Sequence, residues 1–318
     1  MEKKSKILVV GSIAMDLIIE TADFPDSGET VFGKSFQTAG GGKGANQAVQ
    51  AAKLGADVTM AGKVGDDEFG KTLLGSLKSF NVNTSFVLTN PNAATAIANI
   101  ILEVSENKGT ENRIIVASGA NMTITKDDIA FLETEISKYD IVVLQLEIPM
   151  EINEFVANVA YRNNVPVMLN CAPAAPVPDE LLSKLTYICP NEHEAYKLTG
   201  IKIKTTQDSV ALDDVKAAAG QLLEKGVKNV IITLGDKGAA MLNNAQFIYL
   251  ECINAGKTVD PTAAGDSFVG AFCYSISIGK TIKESMEFAN ATAAITVTKM
   301  GAQPSLPTMQ EFMEIYNK

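Results

Sequence analysis

The sequence predicts an α/β fold, with a mostly parallel central sheet and helices on both faces. Three observations carry this. From Thr125 onward, short apolar runs of strand length alternate with helical stretches, as βα units require. The first run, Ile7-Leu8-Val9-Val10, is apolar throughout, which suits a strand buried on both faces. Polar residues (Asp16, Glu147, Asn170, Asn191, Thr233 and Asp260) stand at the ends of nearly all the runs. Carboxyl ends of parallel strands are where ligands collect, so one cleft along one sheet edge follows.

The chain has 318 residues, long for one compact domain but ordinary for an α/β domain with an excursion. At 46% hydrophobic and 20% charged residues, it is a soluble, globular composition. A net charge of −10 with no basic cluster argues against non-specific nucleic-acid binding. The run at Ile7–Val10 is too short for a secretory leader and meets Asp16 quickly, and no stretch could span a bilayer, so a cytoplasmic location without membrane partners is expected. Cys171, Cys189, Cys252 and Cys273 lack close pairing or metal-ligand spacing and read as reduced core thiols.

Taken in order, Ile7 to Ser12 is a strand with Asp16 at its exit. Residues 17–38 read as a small β excursion with a turn at Phe24–Thr30. Gly40-Gly41-Gly42-Lys43-Gly44-Ala45-Asn46-Gln47 opens a helix, Ala45 to about Leu54, closed by Gly55. It lacks the spacing of a Walker loop and of the dinucleotide fingerprint. Its glycines let backbone approach a small polar ligand, with Lys43 and Asn46 as directed hydrogen-bonding groups; a flexible turn before a helix is the plain alternative. Residues 95–118 carry a hairpin pattern. Strands then follow at Asp140–Leu146, Val165–Leu169, Thr186–Cys189 and Asn229–Leu234, with helices near Glu151–Asn163 and Asp213–Lys225. A short extended segment ends at Asp260, and an apolar helix runs from near Asp266 to Ile278 with Gly279 as its stop. Ala263-Ala264-Gly265-Asp266 thus brings free N–H groups, a helix dipole and one carboxylate to one point, a layout suited to an anion. Helix capping by Asp266 is the competing reading.

Gly41-Gly42-Lys43-Gly44-Ala45-Asn46-Gln47 together with Thr262-Ala263-Ala264-Gly265-Asp266-Ser267-Phe268 resembles the two signatures of the ribokinase (PfkB) family of sugar kinases, and Gly65-Asp66-Asp67-Glu68-Phe69-Gly70 extends the resemblance. It implies a three-layer α/β sandwich in one kinase domain, residues 1–318, with a β lid from about 17–38 and 95–118 that closes over the sugar and clasps two subunits into a homodimer.

The resemblance also implies roles. Asp266 would take the proton of the sugar hydroxyl, and the N–H groups of Ala263, Ala264, Gly265 and Asp266 would form an anion hole for the γ-phosphoryl group of ATP. Asp16, Gly42, Lys43, Asn46 and Glu147 match the sugar contacts. Asn191, Thr233, Gly235, Gly238 and Asn290 fall at the nucleotide site, where Thr233–Gly238 could equally be a hairpin turn. Glu194 would hold Mg2+ through water. Asp260, Thr262, Thr296, Lys299, Gly301 and Ser305 match a K+ site. His193, the single histidine, is expected to face solvent.

Two departures stand out. Ala14 replaces an asparagine that meets a sugar hydroxyl in the family, and Pro261 replaces the commoner threonine. The activity implied is transfer of the ATP γ-phosphoryl group to the 5-hydroxyl of D-ribose. A 2-deoxyribokinase or nucleoside kinase, and a non-catalytic sugar or nucleotide sensor, are the alternatives.

Overall fold

The computed structural model describes residues 4–105, 109–206 and 209–316. In chain order the strands are β1 (Lys6–Val10), β2 (Ala14–Thr21), β3 (Gly33–Gly41), β4 (Asp57–Gly65), β5 (Asn83–Asn90), β6 (Ala96–Ser105), β7 (Gly109–Ala117), β8 (Ile141–Leu144), β9 (Val167–Asn170), β10 (Tyr187–Cys189), β11 (Asn229–Thr233), β12 (Ala239–Asn243) and β13 (Phe247–Leu250). The central sheet runs β13-β12-β11-β10-β9-β8-β1-β4-β5. It is parallel from β5 to β11 and closes at one edge with the antiparallel strands β12 and β13.

Alternation along β1 makes the three layers. Leu8 and Val10 join a core shared with helices Met150–Arg162 and Leu212–Glu224. Ile7 and Val9 point the other way, into a core shared with helices Lys43–Lys53, Ala264–Ser277 and Ile282–Thr296. Each buried Val, Leu or Ile contributes on the order of 1.5–3 kcal/mol, so both faces of the sheet are covered for the same reason. The predicted strands and helices after Thr125 form close to their expected limits.

A second, four-stranded sheet, ordered β3-β2-β6-β7, stands apart and contains both predicted β excursions. The motif Gly65–Gly70 helps place it. Asp67 caps helix Glu68–Ser79 through the Gly70 N–H and also accepts the N–H and hydroxyl of Thr95, just before β6.

Three expectations need correction. Asp16 is not at the exit of a central strand but inside β2 of the smaller sheet. Asn121 binds the N–H and carbonyl of Ile13, which turns the chain out of the central sheet directly after β1. Val259 and Asp260 form no strand, because their N–H groups both meet the Val297 carbonyl at a helix end. Cys171, Cys189 and Cys273 are buried as expected, but Cys252 is exposed in the irregular segment after β13. Of the two readings of Thr233–Gly238, the hairpin turn is the one that forms: it joins β11 to the edge strand β12, and β13 follows.

Candidate active site

The glycine turn brings the end of β3 against β2. Gly42 adopts φ 88°, and a Cβ there would lie 2.7 Å from the Ala14 nitrogen. A Cβ on Gly41 would lie 2.4 Å from Asp16 Oδ1, so any side chain would displace that carboxylate. Helix Lys43–Lys53 follows at once. The Lys43 N–H and the Ser12 hydroxyl both donate to Glu147 Oε2, at 3.2 and 2.5 Å. Glu147, just beyond β8, is thereby fixed by one oxygen with the other left for a ligand.

The helix Ala264–Ser277 begins on Ala263, a non-glycine residue in the left-handed region (φ 61°, ψ 9°). Such a conformation persists only where the surroundings enforce it and tends to mark functional sites. The Ala264 N–H closes a turn on the Pro261 carbonyl at 3.2 Å, so it is less free for an anion than predicted. The next N–H groups, of Gly265 and Asp266, belong to the first helical turn and have no carbonyl behind them in the helix.

Asp266 does not cap its own helix. Its Oδ2 accepts Asn46 Nδ2 and its Oδ1 accepts Gln47 Nε2, both at 2.9 Å, with the residue only 8% exposed. The two signature motifs therefore meet at one carboxylate.

Around that carboxylate lies a cavity of about 180 Å³, the size of a single small sugar. Asp16, Gly42, Lys43, Asn46, Glu147, Thr262, Ala263 and Asp266 line it, joined by Ser118 and Asn121. Ala14, Ala96, Ala98, Ile100, Ile114 and Val116 form an apolar wall supplied mainly by the smaller sheet. Burial pushes the Asp16 carboxyl up to about 7, with Glu147 and Asp266 adding to the shift and Lys43 opposing it. Burial alone would lower the Lys43 ammonium, but Asp266, Glu147, Glu194 and Asp16 more than reverse this, and the net movement is upward. The Asn46 Oδ1 is buried without a partner, an acceptor a polyol hydroxyl would satisfy.

The five predicted nucleotide residues lie outside this cavity but are tied together. Asn191 bridges Thr233, Gly238 packs against the Leu250 carbonyl and the Cys252 nitrogen, and Asn290 donates to the Glu251 carbonyl at 2.6 Å. Gly235 sits in the turn between β11 and β12. His193 is exposed, as expected.

Glu194 and Asn191 form a capping box at helix Glu192–Thr199. Glu194 Oε2 accepts the Asn191 N–H, and burial raises the carboxyl against the pull of that bond and of Lys43. Asp260 joins two loops, accepting the Thr262 N–H at 2.9 Å and the Gly301 N–H at 2.8 Å. Thr296 and Ser305 turn inward: the Thr296 hydroxyl meets Ser267 and Thr292, and the Ser305 hydroxyl meets the Ala302 carbonyl. The Lys299 ammonium pairs with Glu311. Among the described residues, no three Asp, Glu, His or Cys groups gather as a protein-built metal cage would need.

Sequence reasoning missed Ser12, Asn121, Gln145 and the task of Gln47. The available signal was Gln47 and Gln50, amides one turn apart on an otherwise alanine-rich helix.

Residues 4–309 match the pfkB family carbohydrate kinase. The chain is 41% identical to a ribokinase of Schizosaccharomyces pombe over 98% of both chains, and 39% identical to a ribokinase of Haemophilus influenzae over 98% of both. It is also 35% identical to a deoxyribokinase of Salmonella typhi over 97% of both chains. Its fold superposes with a TM-score of 0.88 on Arabidopsis thaliana ribokinase complexed with ribose and ATP, at 33% identity over 99% of this chain and 100% of that one. A carbohydrate kinase is the class of protein that this fold and site define, and the chain belongs to the PfkB family.

Proposed function

We propose that this protein transfers the γ-phosphoryl group of ATP to the 5-hydroxyl of D-ribose. The observation that carries this reading is the meeting of Asn46, Gln47 and Asp266 at the floor of a sugar-sized cavity beside a helix N-terminus. Asp266 accepts the proton of the primary hydroxyl as it attacks, and the N–H groups of Ala263, Gly265 and Asp266 hold the migrating phosphoryl charge, with that of Ala264 partly committed to the Pro261 carbonyl. That transition state is loose, so positioning and charge stabilisation do most of the work. Asp16, Lys43, Asn46 and Glu147 orient the sugar, and Asn191, Thr233, Gly235, Gly238 and Asn290 flank the nucleotide. A sensor would not need a carboxylate held by two amide donors at this point.

Mg2+ would neutralise charge on the nucleotide phosphates. One carboxylate edge at Glu194, with no cluster of three acidic, histidine or cysteine ligands among the described residues, fits an ion held mostly by its water shell. A K+ ion would tune the field of the anion hole. Asp260, with one charge shared between the loops of Thr262 and Gly301, fits a weakly charged cation ringed by carbonyls; Lys299, Gly301 and Ser305 would add only main-chain oxygens. The Thr296 carbonyl takes the Lys299 N–H, so only its second lone pair would be offered.

We read residues 1–318 as one kinase domain with the smaller sheet as its lid. On β7, Ile114 and Val116 face the cavity while Ile115, 69% exposed, points away, as does Phe36 of β3 at 64%. A sheet that lines the cavity with one apolar face and exposes apolar side chains on the other favours a homodimer through that other face. Among the described residues no helix is long and apolar enough to cross a membrane.

One observation favours a second acceptor. Ala14 places a methyl group at the cavity wall beside Ala96 and Ala98, where no polar group would miss a sugar hydroxyl. 2-Deoxyribose therefore fits the same site. A coupled assay across ribose, 2-deoxyribose, fructose and nucleosides tests the reading. ATP consumption with ribose and deoxyribose is expected, and silence with every sugar would refute it.

A further inference from the structure

Helix Lys43–Lys53 carries a buried polar side chain that does not line the cavity. Gln47 is 1% exposed, yet its amide is fully committed. Nε2 donates to Asp266 Oδ1 at 2.9 Å and makes a longer approach of 3.4 Å to Asn170 Oδ1. Oε1 accepts Gln145 Nε2 at 2.7 Å. Gln145 lies on the segment after β8 and is wholly buried, and Asn153 holds its carbonyl at 2.9 Å.

The polarity of this chain is dictated from one end. A carboxylate only accepts, so Gln47 must present its NH2 group to Asp266 and its oxygen to Gln145. Gln145 must then present its own NH2 group and turn its oxygen away. That oxygen is buried without a partner. It occupies space that exists only because residue 11 is glycine, since a Cβ there would come within 1.8 Å. A buried orphan carbonyl costs about 1–3 kcal/mol, so a fold that keeps one is keeping the amide direction for a reason. Stability alone would be better served by apolar side chains of the same shape.

We infer that Gln47, oriented by Gln145, is a positioning residue that holds the Asp266 carboxylate in its reactive orientation. This rests on the assignment of Asp266 as the base. Asn46 secures Oδ2 from the cavity side, where a sugar also competes for it, whereas Gln47 secures Oδ1 from the protein interior. The carboxylate is thus fixed whether or not the acceptor is bound, and less reorganisation remains when the hydroxyl arrives.

The test measures kcat, KM for ribose and ATP, and thermal unfolding for Gln47→Met, Gln145→Met, the double variant and Asp266→Asn. Gln47→Met should lower kcat by about 10–100-fold, the scale of one charge-assisted hydrogen bond, with both KM values nearly unchanged. Gln145→Met should lower kcat less, and the double variant should be no slower than Gln47→Met, because both remove the same restraint. Losses that multiply, losses confined to KM, or a Gln47→Met enzyme with parental kcat would overturn the inference. If Gln47→Met fails to fold, Gln145→Met decides alone: folded with reduced kcat supports the relay, and folded with parental kcat rejects it. An inactive Asp266→Asn beside an active Gln47→Met removes only the relay. An active Asp266→Asn removes the base assignment and the relay with it.

Discussion

Asn46 Nδ2 donates to Asp266 Oδ2 at 2.9 Å, although 220 residues separate them in the chain. One side chain thereby touches both the proposed proton acceptor and the cavity. Asn46→Ala should raise KM for the sugar and lower kcat together, for a combined loss in kcat/KM of about 10–100-fold. Steady-state kinetics with both substrates varied will check it, and a change in the ATP KM alone would contradict it.

Asp266→Asn puts one amide donor against another, since Asn46 and Gln47 both point NH2 groups at residue 266. It also removes the proposed proton acceptor. Turnover should fall by about 10²–10⁴-fold while ATP still binds, as equilibrium titration would report.

Sugar affinity should depend on pH through Asp16. Its carboxyl is pushed up to about 7 in the free protein from an ordinary 3.8, chiefly by burial. A folded value raised in this way stabilises the free protein fully below the unfolded value, and that contribution is lost as pH rises through about 7. Sugar hydroxyls donate, so the bound state prefers the ionised form. Binding should release a proton and tighten by about tenfold between pH 6 and 8. Calorimetry in buffers of different ionisation enthalpy will detect the proton, and a pH-independent affinity would exclude Asp16 as the titrating contact.

Ala14 lines the cavity beside Ala96 and Ala98. Ala14→Asn should raise the preference for ribose over 2-deoxyribose by about 5–10-fold in kcat/KM, the scale of one neutral hydrogen bond. An unchanged ratio would place the discriminating contact elsewhere.

Ile115 exposes 69% of its surface on the outer face of the smaller sheet. Ile115→Lys should shift sedimentation from dimer to monomer and leave the chain folded. A parent that sediments as a monomer would dismiss the proposed interface.

Much of the molecule could be read from its residues because the relevant forces act locally. A continuous apolar run such as Ile7–Val10 reads as a doubly buried strand, and Gly41-Gly42 announces close backbone approach through missing side chains. The exposure of Cys252 was illegible for the opposite reason: it depends on how the segment after β13 packs against the rest of the molecule.

Composition, periodicity and two short motifs were enough for the α/β class and the kinase family, and they named candidate site residues. Their partnerships were settled only when the layers packed. Asp16 left the central sheet because Asn121, over a hundred residues away, claimed the backbone of Ile13. Asp266 became a fixed acceptor and not a helix cap because burying two helices against β1 carried Asn46 and Gln47 to it. Backbone preference extends over a few neighbours, whereas the direction of a buried amide is set by whichever distant group tertiary packing places against it.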